Sequence, residues 1–338
     1  MKKNNFDKIL IVQTAFTGDV ILATSLLENL HQKFPNARID FLLRKGNENL
    51  LENHPFLNKI LIWNKNKGKY KSLLKNLIQA RKEKYDLIIN LQRFASSGIF
   101  TILAGAKETR GFSKNPLSFF FTKKFPHQIG NFQHEIERNF SLIKNIVSNE
   151  ISKPKIYPQL NNFDKIKKYT ETPFVVMAPA SVWFTKQLPE KKWVELCNQI
   201  PQNLNIYLIG APGDLSLCEN IRKNSCFGNA NEPRKNKCLV LAGKLSLLDS
   251  AALISKAAMN YVNDSAPLHL ASATNSPVTA FFCSTLPQFG FGPLSDNSKI
   301  AETNQKLKCR PCGIHGKKVC PEKHFECGNS IDIRNFNI

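Results

Sequence analysis

The chain has 338 residues, of which 42% are hydrophobic and 22% charged, a composition typical of a globular protein of about two domains. No apolar run approaches the roughly 18 residues that a membrane span needs, which excludes a transmembrane protein. The net charge of +21 predicts an anionic partner. The sequence has no basic tail and no aromatic RNA-binding motif, so an acidic membrane surface or a phosphorylated substrate is favoured over nucleic acid. The first apolar run, residues 9–12, is too short for a signal peptide, so we expect a cytoplasmic protein.

In the first half of the chain, short apolar runs alternate with amphipathic segments. The apolar runs predict buried parallel strands at residues 8–13, 37–43, 59–63 and 85–91. Helical spacing of apolar side chains predicts helices at residues 20–34, 70–84 and 131–147. Prolines and polar residues between positions 151 and 172 then predict a linker.

The second half repeats the alternation. Strands are predicted at residues 174–178, 205–210, 238–242, 261–262 and 278–282, and helices at residues 191–200 and 247–258. The α/β pattern predicts two Rossmann-like, doubly wound parallel sheets with a ligand cleft between the carboxyl ends of their strands.

Residues 261–273 predict a strand, a sharp turn and a helix. Ser265 suits the N-cap position, and Pro267 falls in the first turn, where its missing N–H is not needed. Such a helix start favours a phosphate or diphosphate ligand, and His269 lies one turn further on. The alternative interpretation is an ordinary strand–helix turn with a surface histidine.

Two further side chains follow predicted strands at positions where a ligand would lie. Asp19, after Thr17 and Gly18, would accept a proton from an attacking hydroxyl, or would act only as a helix N-cap. Lys186 would neutralise a phosphate leaving group, or would be an ordinary solvated lysine.

The turn that ends at Asp214 has an acidic group that would accept hydrogen bonds from ribose hydroxyls. The sequence contains neither the dinucleotide-binding glycine fingerprint nor a P-loop, which disfavours dehydrogenases and P-loop nucleotidases.

Four of the nine cysteines, Cys309, Cys312, Cys320 and Cys327, lie close together with the spacing C-x2-C-x7-C-x6-C. In a cytosolic protein this clustering predicts a structural zinc site with four protein ligands. Reduced thiols in a packed tail and stress-formed disulfides are the alternatives.

Taken together, these stretches resemble glycosyltransferase family 9, the ADP-heptose:lipopolysaccharide heptosyltransferases. The resemblance covers most of the chain and rests on segments whose order and spacing are specific. These are residues 9–12 with 17–20, 178–193, 209–214, 241–245, 263–271 and the cysteine-rich tail. The resemblance implies a GT-B fold and an inverting, metal-independent sugar transfer that requires no cofactor.

The resemblance also implies roles for individual residues. Asp19 matches the family's general base and Lys186 the lysine at the donor phosphates, while Asp214 falls at the ribose position. The family's D-[ST]-G-x-x-H segment at the diphosphate aligns with residues 264–269, although Ala266 replaces its glycine. Ala180 likewise replaces the glycine that follows the strand-end proline in the family, which is Pro179 here. The full set expected at the donor is Thr17, Gly18, Ser181, Asp214, Asp264, Ser265, Ala266 and His269.

The expected function is therefore heptose transfer from ADP-heptose to the anionic inner core of lipopolysaccharide, by an enzyme attached peripherally to the inner face of the cytoplasmic membrane. We expect an acceptor domain at residues 1–165, a donor domain at 170–308 and a cysteine-rich tail at 309–338. One alternative is a family member with another nucleotide sugar or acceptor. Another class is a basic nucleic-acid-binding protein with a C-terminal zinc module.

Overall fold

The computed structural model describes residues 6–148, 150–228 and 235–336. The chain forms two compact units, Met1–Tyr157 and Pro158–Ile338. Each unit contains one six-stranded sheet whose neighbouring strands are all parallel.

The first unit alternates strands and helices. Its strands are β1 (Lys8–Gln13), β2 (Arg38–Arg44), β3 (Lys59–Trp63), β4 (Leu87–Asn90), β5 (Glu108–Phe112) and β6 (Lys123–Phe125). Its helices are α1 (Thr17–Lys33), α2 (Lys69–Glu83), α3 (Ala95–Leu103) and α4 (Glu135–Ser141). The central strands β1 and β4 are apolar because both of their faces are covered, and residues 9–12 are fully buried.

The second unit begins with a helix in the stretch where prolines and polar residues predict a linker. Its helices are α5 (Leu160–Ile166), α6 (Glu190–Gln199), α7 (Leu215–Asn224), α8 (Leu247–Lys256), α9 (Ala266–Ala273) and α10 (Glu326–Asn329). Its strands are β7 (Phe174–Ala178), β8 (Asn205–Leu208), β9 (Cys238–Val240), β10 (Met259–Asn263), β11 (Val278–Phe282) and β12 (Ser298–Glu302). The linker prediction for residues 151–172 is wrong over α5, where the Asn162 side chain donates to Asp249 at 2.7 Å and ties the helix to α8.

Both sheets have the same topology. Their strand orders are β3-β2-β1-β4-β5-β6 and β12-β11-β10-β7-β8-β9. In each sheet the first strand of the unit lies beside the fourth, and the chain winds outward from this pair in both directions. This arrangement opens a crevice at the carboxyl ends of β1 and β4 in one unit, and of β7 and β10 in the other.

The predicted helix over residues 131–147 is much shorter in the structure. Helix α4 ends at Ser141, and turns follow. The buried Arg110 side chain lies at this break, where it donates to the Leu142 carbonyl at 2.8 Å. The apolar spacing was correct, but it is equally satisfied by a short helix followed by buried turns.

The C-terminal segment belongs to the core of the second unit. Cys327, Ile331 and Ile333 are buried in the same apolar cluster as Trp193 of α6. The Tyr261 hydroxyl of β10 donates to the Phe336 carbonyl at 3.0 Å, which fixes the end of the segment against the sheet.

Truncation of the buried tail residue Ile331 to alanine is therefore expected to destabilise the protein. The cavity and the lost apolar contacts predict a decrease in the free energy of unfolding of about 2–5 kcal/mol. The matched control is Ile314→Ala in the same segment, where the side chain is 36% exposed and a change within about 0.5 kcal/mol is expected. Urea denaturation followed by circular dichroism measures both variants, and equal small effects would show that the tail does not contribute to the core.

Candidate functional site

In the second unit, the loops after β7 and β10 meet because these strands are neighbours in the sheet. Asn263, the last residue of β10, joins them. Its side-chain amide donates to the Pro179 carbonyl at 2.7 Å and accepts from the Leu188 N–H at 2.9 Å. One side chain thus holds both ends of the loop that carries Lys186.

Lys186 and Asp264 form an ion pair at this carboxyl edge. The Lys186 Nζ lies 2.7 Å from Asp264 Oδ2, and both side chains are mostly buried. The Thr285 hydroxyl also donates to Asp264 Oδ2, at 2.7 Å. Lys186 is therefore not an ordinary solvated lysine, and both donors bind the same oxygen of Asp264, Oδ2.

Helix α9 starts directly after this pair. Ser265 is its N-cap residue, as predicted, but its hydroxyl makes no capping hydrogen bond. Ala266 opens the helix and is not among the described residues with a positive φ, so the methyl group that replaces the family's glycine causes no backbone strain there. His269 is buried and is therefore not a surface histidine.

The other donor-side candidates lie in nearby loops. The Ser181 carbonyl accepts from the Gln187 side-chain amide at 2.6 Å, so the loop after β7 is bonded internally. Asp214 follows β8, and its Oδ2 accepts from the Ala211 N–H at 2.7 Å. Asp214 thus closes its own turn through this oxygen.

In the first unit, the equivalent loop leads from β1 into α1. The helix starts at Thr17 with Phe16 at the N-cap, so Asp19 lies in its first turn and is not the N-cap of the alternative interpretation. The Thr17 hydroxyl donates to the Asn47 side chain at 2.9 Å. Gly18 and Asp19 are both partly exposed, and Asp19 is the acidic residue in the first turn of the helix, near the positive end of its dipole.

A second carboxylate, Glu135 at the start of α4, interacts with Asp19. Burial raises the pKa of Glu135 to about 7, the Arg138 guanidinium opposes this shift, and the charge of Asp19 adds to it. The Arg138 Nε donates to Glu135 Oε2 at 2.8 Å. Asp19 is thus part of a local group of two carboxylates and a buried arginine.

A cationic group lies at the same edge of the first sheet. The Lys65 ammonium donates to the Thr14 carbonyl at 2.8 Å and to its hydroxyl at 2.9 Å, and lies 4.6 Å from the centre of the Trp63 ring. Partial burial, with the charges of Arg44 and Lys69, lowers the pKa of Lys65 to about 8. An anionic ligand would relieve this repulsion.

The zinc prediction finds no support in the structure. The four tail cysteines and His324 line one cavity of about 360 Å³, but within the described parts of the chain no three His, Cys, Asp or Glu side chains are arranged to hold a metal ion. The Cys309 Sγ lies 3.9 Å from His324 Nε2, while the Cys312 thiol donates to the Cys309 carbonyl at 3.5 Å. All nine cysteines are free thiols in this structure.

Several residues of the site were missed by the sequence analysis. Asn263, Thr285 and Glu135 act through contacts that join distant parts of the chain, and no local pattern marks such contacts. Of these, only Asn263 lies within a motif that the sequence pattern marks, residues 261–273.

A family model described as glycosyltransferase family 9 (heptosyltransferase) matches residues 73–324. Lipooligosaccharide heptosyltransferase 2 of Haemophilus influenzae is 25% identical to the chain over 309 residues, which cover 86% of this chain and 87% of that protein. The predicted family is thereby confirmed.

Solved structures show the same fold. Escherichia coli ADP-heptose lps heptosyltransferase II aligns with a TM-score of 0.76 at 20% identity, over 95% of this chain and 97% of that one. E. coli heptosyltransferase WaaC with ADP-2-deoxy-2-fluoro heptose aligns with a TM-score of 0.68 at 20% identity, over 88% of this chain and 93% of that one. Together with the two doubly wound sheets, these likenesses confirm the predicted GT-B class. Within the described residues, no helix combines the length and the hydropathy that a bilayer crossing requires.

The raised pKa of Glu135 predicts a pH-dependent stability. The unfolded chain releases this proton near pH 4.5 and the folded chain near pH 7, so the contribution of Glu135 to stability decreases as the pH rises through this window. The amide of the Glu135→Gln variant does not titrate in this pH window. We expect its melting temperature to rise relative to that of the wild type between pH 4.5 and 7, measured by differential scanning calorimetry.

Glu137→Gln, on the exposed face of the same helix, controls for the removal of a charge from α4. A constant difference between Glu135→Gln and the wild type over the whole pH window would contradict the assignment.

Proposed function

The chain belongs to glycosyltransferase family 9 and is a glycosyltransferase, and we propose that it transfers heptose from ADP-heptose to the inner core of lipopolysaccharide, with inversion and without a metal ion. The names of its relatives support this donor and acceptor, since they are lipooligosaccharide and lipopolysaccharide heptosyltransferases, and one solved relative holds an ADP-heptose analogue. The observation that carries the proposal is the Lys186–Asp264 pair beside the start of α9.

In the proposed donor site, the diphosphate of ADP-heptose lies against the Lys186 ammonium and the N-terminus of α9. An ammonium has three N–H donors, so Lys186 can bind Asp264 and phosphate oxygens together. The helix dipole adds positive charge in the same place. These groups stabilise the charge that develops on the departing ADP, the task that a divalent cation performs in other transferases.

Asp264 would contribute indirectly. A carboxylate that touched the diphosphate would repel it, but Asp264 is already bonded to Lys186 and Thr285. Its role in the proposal is to hold the ammonium in place. Asp214 would bind the ribose through the oxygen that its own turn leaves available.

The catalytic step places the acceptor hydroxyl opposite the leaving group. The hydroxyl oxygen attacks the anomeric carbon, the bond from this carbon to the ADP phosphate oxygen breaks, and Asp19 accepts the hydroxyl proton. Attack on the face opposite to ADP inverts the anomeric configuration. Glu135 and Arg138 set the local charge around this base.

The charge of the chain supports an anionic acceptor on a membrane surface. The net charge is +21, and Lys65 with Arg44 and Lys69 forms a cationic group in the first unit. Phosphate and carboxylate groups of a lipopolysaccharide core would bind there, and anionic headgroups would attract the protein peripherally to the inner face of the cytoplasmic membrane.

A first test is calorimetric titration with ADP, UDP, GDP and ADP-heptose in the presence of EDTA. We expect selective binding of ADP and ADP-heptose. Preference for another nucleotide would move the function to a different sugar within the family, and binding that disappears with EDTA would contradict the metal-free site.

Replacement of Lys186 by methionine should weaken ADP binding by about 10- to 100-fold in the same titration. The variant loses a charge-assisted contact and leaves the buried Asp264 carboxylate facing the diphosphate. Lys191→Met, at an exposed position of α6, is the matched control and should change the affinity less than twofold. Equal ADP affinities of the two variants would contradict the placement of Lys186 in the donor site.

Replacement of Asp19 by asparagine should lower kcat by about 10²-fold or more and leave ADP affinity nearly unchanged, because the amide cannot accept the acceptor's proton. Steady-state kinetics with ADP-heptose and a purified core acceptor measure kcat, and calorimetry measures the affinity. A variant with normal kcat would exclude Asp19 as the base, and a parallel loss of affinity and melting temperature would make it a structural residue.

A further inference from the structure

The cysteine-rich tail contacts the donor-side loops through four residues, which we call the tail anchor: Arg310, Cys312, Gly316 and Lys317. Two of them bind the loop that carries Lys186. The Lys317 N–H donates to the Thr185 hydroxyl oxygen at 2.7 Å, and the Thr185 N–H donates to the Lys317 carbonyl at 3.1 Å. This reciprocal pair fixes the backbone of the residue directly before Lys186.

Gly316 packs against the Lys186 side chain itself. A Cβ atom at Gly316 would lie 2.9 Å from Lys186 Cγ and 3.1 Å from the Thr185 Oγ1. The bare glycine backbone therefore forms one wall of the space that holds the lysine stem. A side chain at this position would have to displace that stem.

The other two members of the anchor hold the opposite end of the ion pair. The Arg310 guanidinium donates to the carbonyls of Cys283 at 2.7 Å and Thr285 at 2.8 Å. The Cys312 N–H donates to the Ser284 carbonyl at 3.0 Å. These bonds fix the backbone of Thr285, whose hydroxyl donates to Asp264.

Thr185 is the residue that joins these contacts to one another. This residue is fully buried, and its hydroxyl oxygen is also bonded to the Ser284 hydroxyl at 2.9 Å. The Lys186 loop, the end of β11 and the tail anchor thus meet at one side chain. A tail that only filled the core would not need these polar contacts around the ion pair.

We infer that the tail anchor is part of the donor site. Gly316 of the anchor and Thr185, to which the anchor is bonded, are positioning residues that set the location of the Lys186 ammonium. The inference rests on the proposed function, because it assigns the positioned lysine to the donor diphosphate. The tail would determine how well the protein binds a nucleoside diphosphate without itself touching the ligand.

Two glycines of the tail allow a matched test by calorimetric titration with ADP. Gly316 and Gly313 have positive φ angles of +75° and +91°, so an alanine at either position causes similar backbone strain. Only at Gly316 does the added Cβ meet Lys186, since nothing lies within 4 Å of a Cβ at Gly313. We expect Gly316→Ala to weaken ADP binding by about tenfold and Gly313→Ala by less than twofold.

A double-mutant cycle tests whether the effect passes through the lysine. In the Lys186→Met background, Gly316→Ala should change ADP affinity by less than twofold, because methionine has no ammonium for the added Cβ to displace from the diphosphate. An equal loss of affinity in both backgrounds, equal effects of the two glycine variants, or an unaffected Gly316→Ala would each overturn the inference.

Thr185 provides a second route if Gly316→Ala fails to fold. Thr185→Val removes the hydroxyl that joins Lys317 and Ser284, and should weaken ADP binding by about tenfold, whereas Thr185→Ser keeps the hydroxyl and should restore most of the affinity. Equal affinities of the Val and Ser variants would contradict the positioning role. A wild type that binds no ADP would contradict the proposed function itself, whereas normal wild-type binding with unaffected variants would contradict only this inference.

Discussion

The ion pair between Lys186 and Asp264 is the contact on which the donor side of the second unit depends. It exists because β7 and β10 are neighbours, which brings the loops that follow them to one edge of the sheet. A mostly buried pair of charges is stable only when further hydrogen bonds compensate for lost hydration. Thr285 supplies one to Asp264, and the tail anchor and Asn263 hold the backbone on both sides.

The first unit repeats this topology with different chemistry. Its crevice at β1 and β4 is bordered by the start of α1, which carries a carboxylate where the second unit carries a lysine. A helix N-terminus favours negative charge, so it suits the carboxylate of Asp19 in one unit and, in the proposed donor site, a diphosphate in the other. In the proposed reaction, the same helix property serves the base and the leaving group.

Much of the fold follows from sequence pattern alone, because continuous apolar runs mark strands that are buried on both faces. Strand β1 has its predicted limits, and α9 begins at the predicted turn. No apolar run predicts strand β6, since Lys123–Phe125 is short, has lysine at two of its three positions and lies at a sheet edge. The carbonyl at the break after α4 accepts from Arg110, more than 30 residues away in sequence, and local spacing carries no information about this contact. The zinc prediction was unsupported for a similar reason, because cysteine spacing does not fix where thiols point.

Asn263 makes one hydrogen bond to Pro179 and one to Leu188, and so fixes the two ends of the donor-side loop but not its interior. Strand β10 fixes the ends, so substitutions between them cannot easily propagate into the sheet. Val182, in this interior, is 74% exposed and is under little packing constraint. Exposed positions of this loop, such as Val182, can therefore vary in sequence without loss of stability, whereas the buried Thr185 and the paired Lys186 of the same loop cannot.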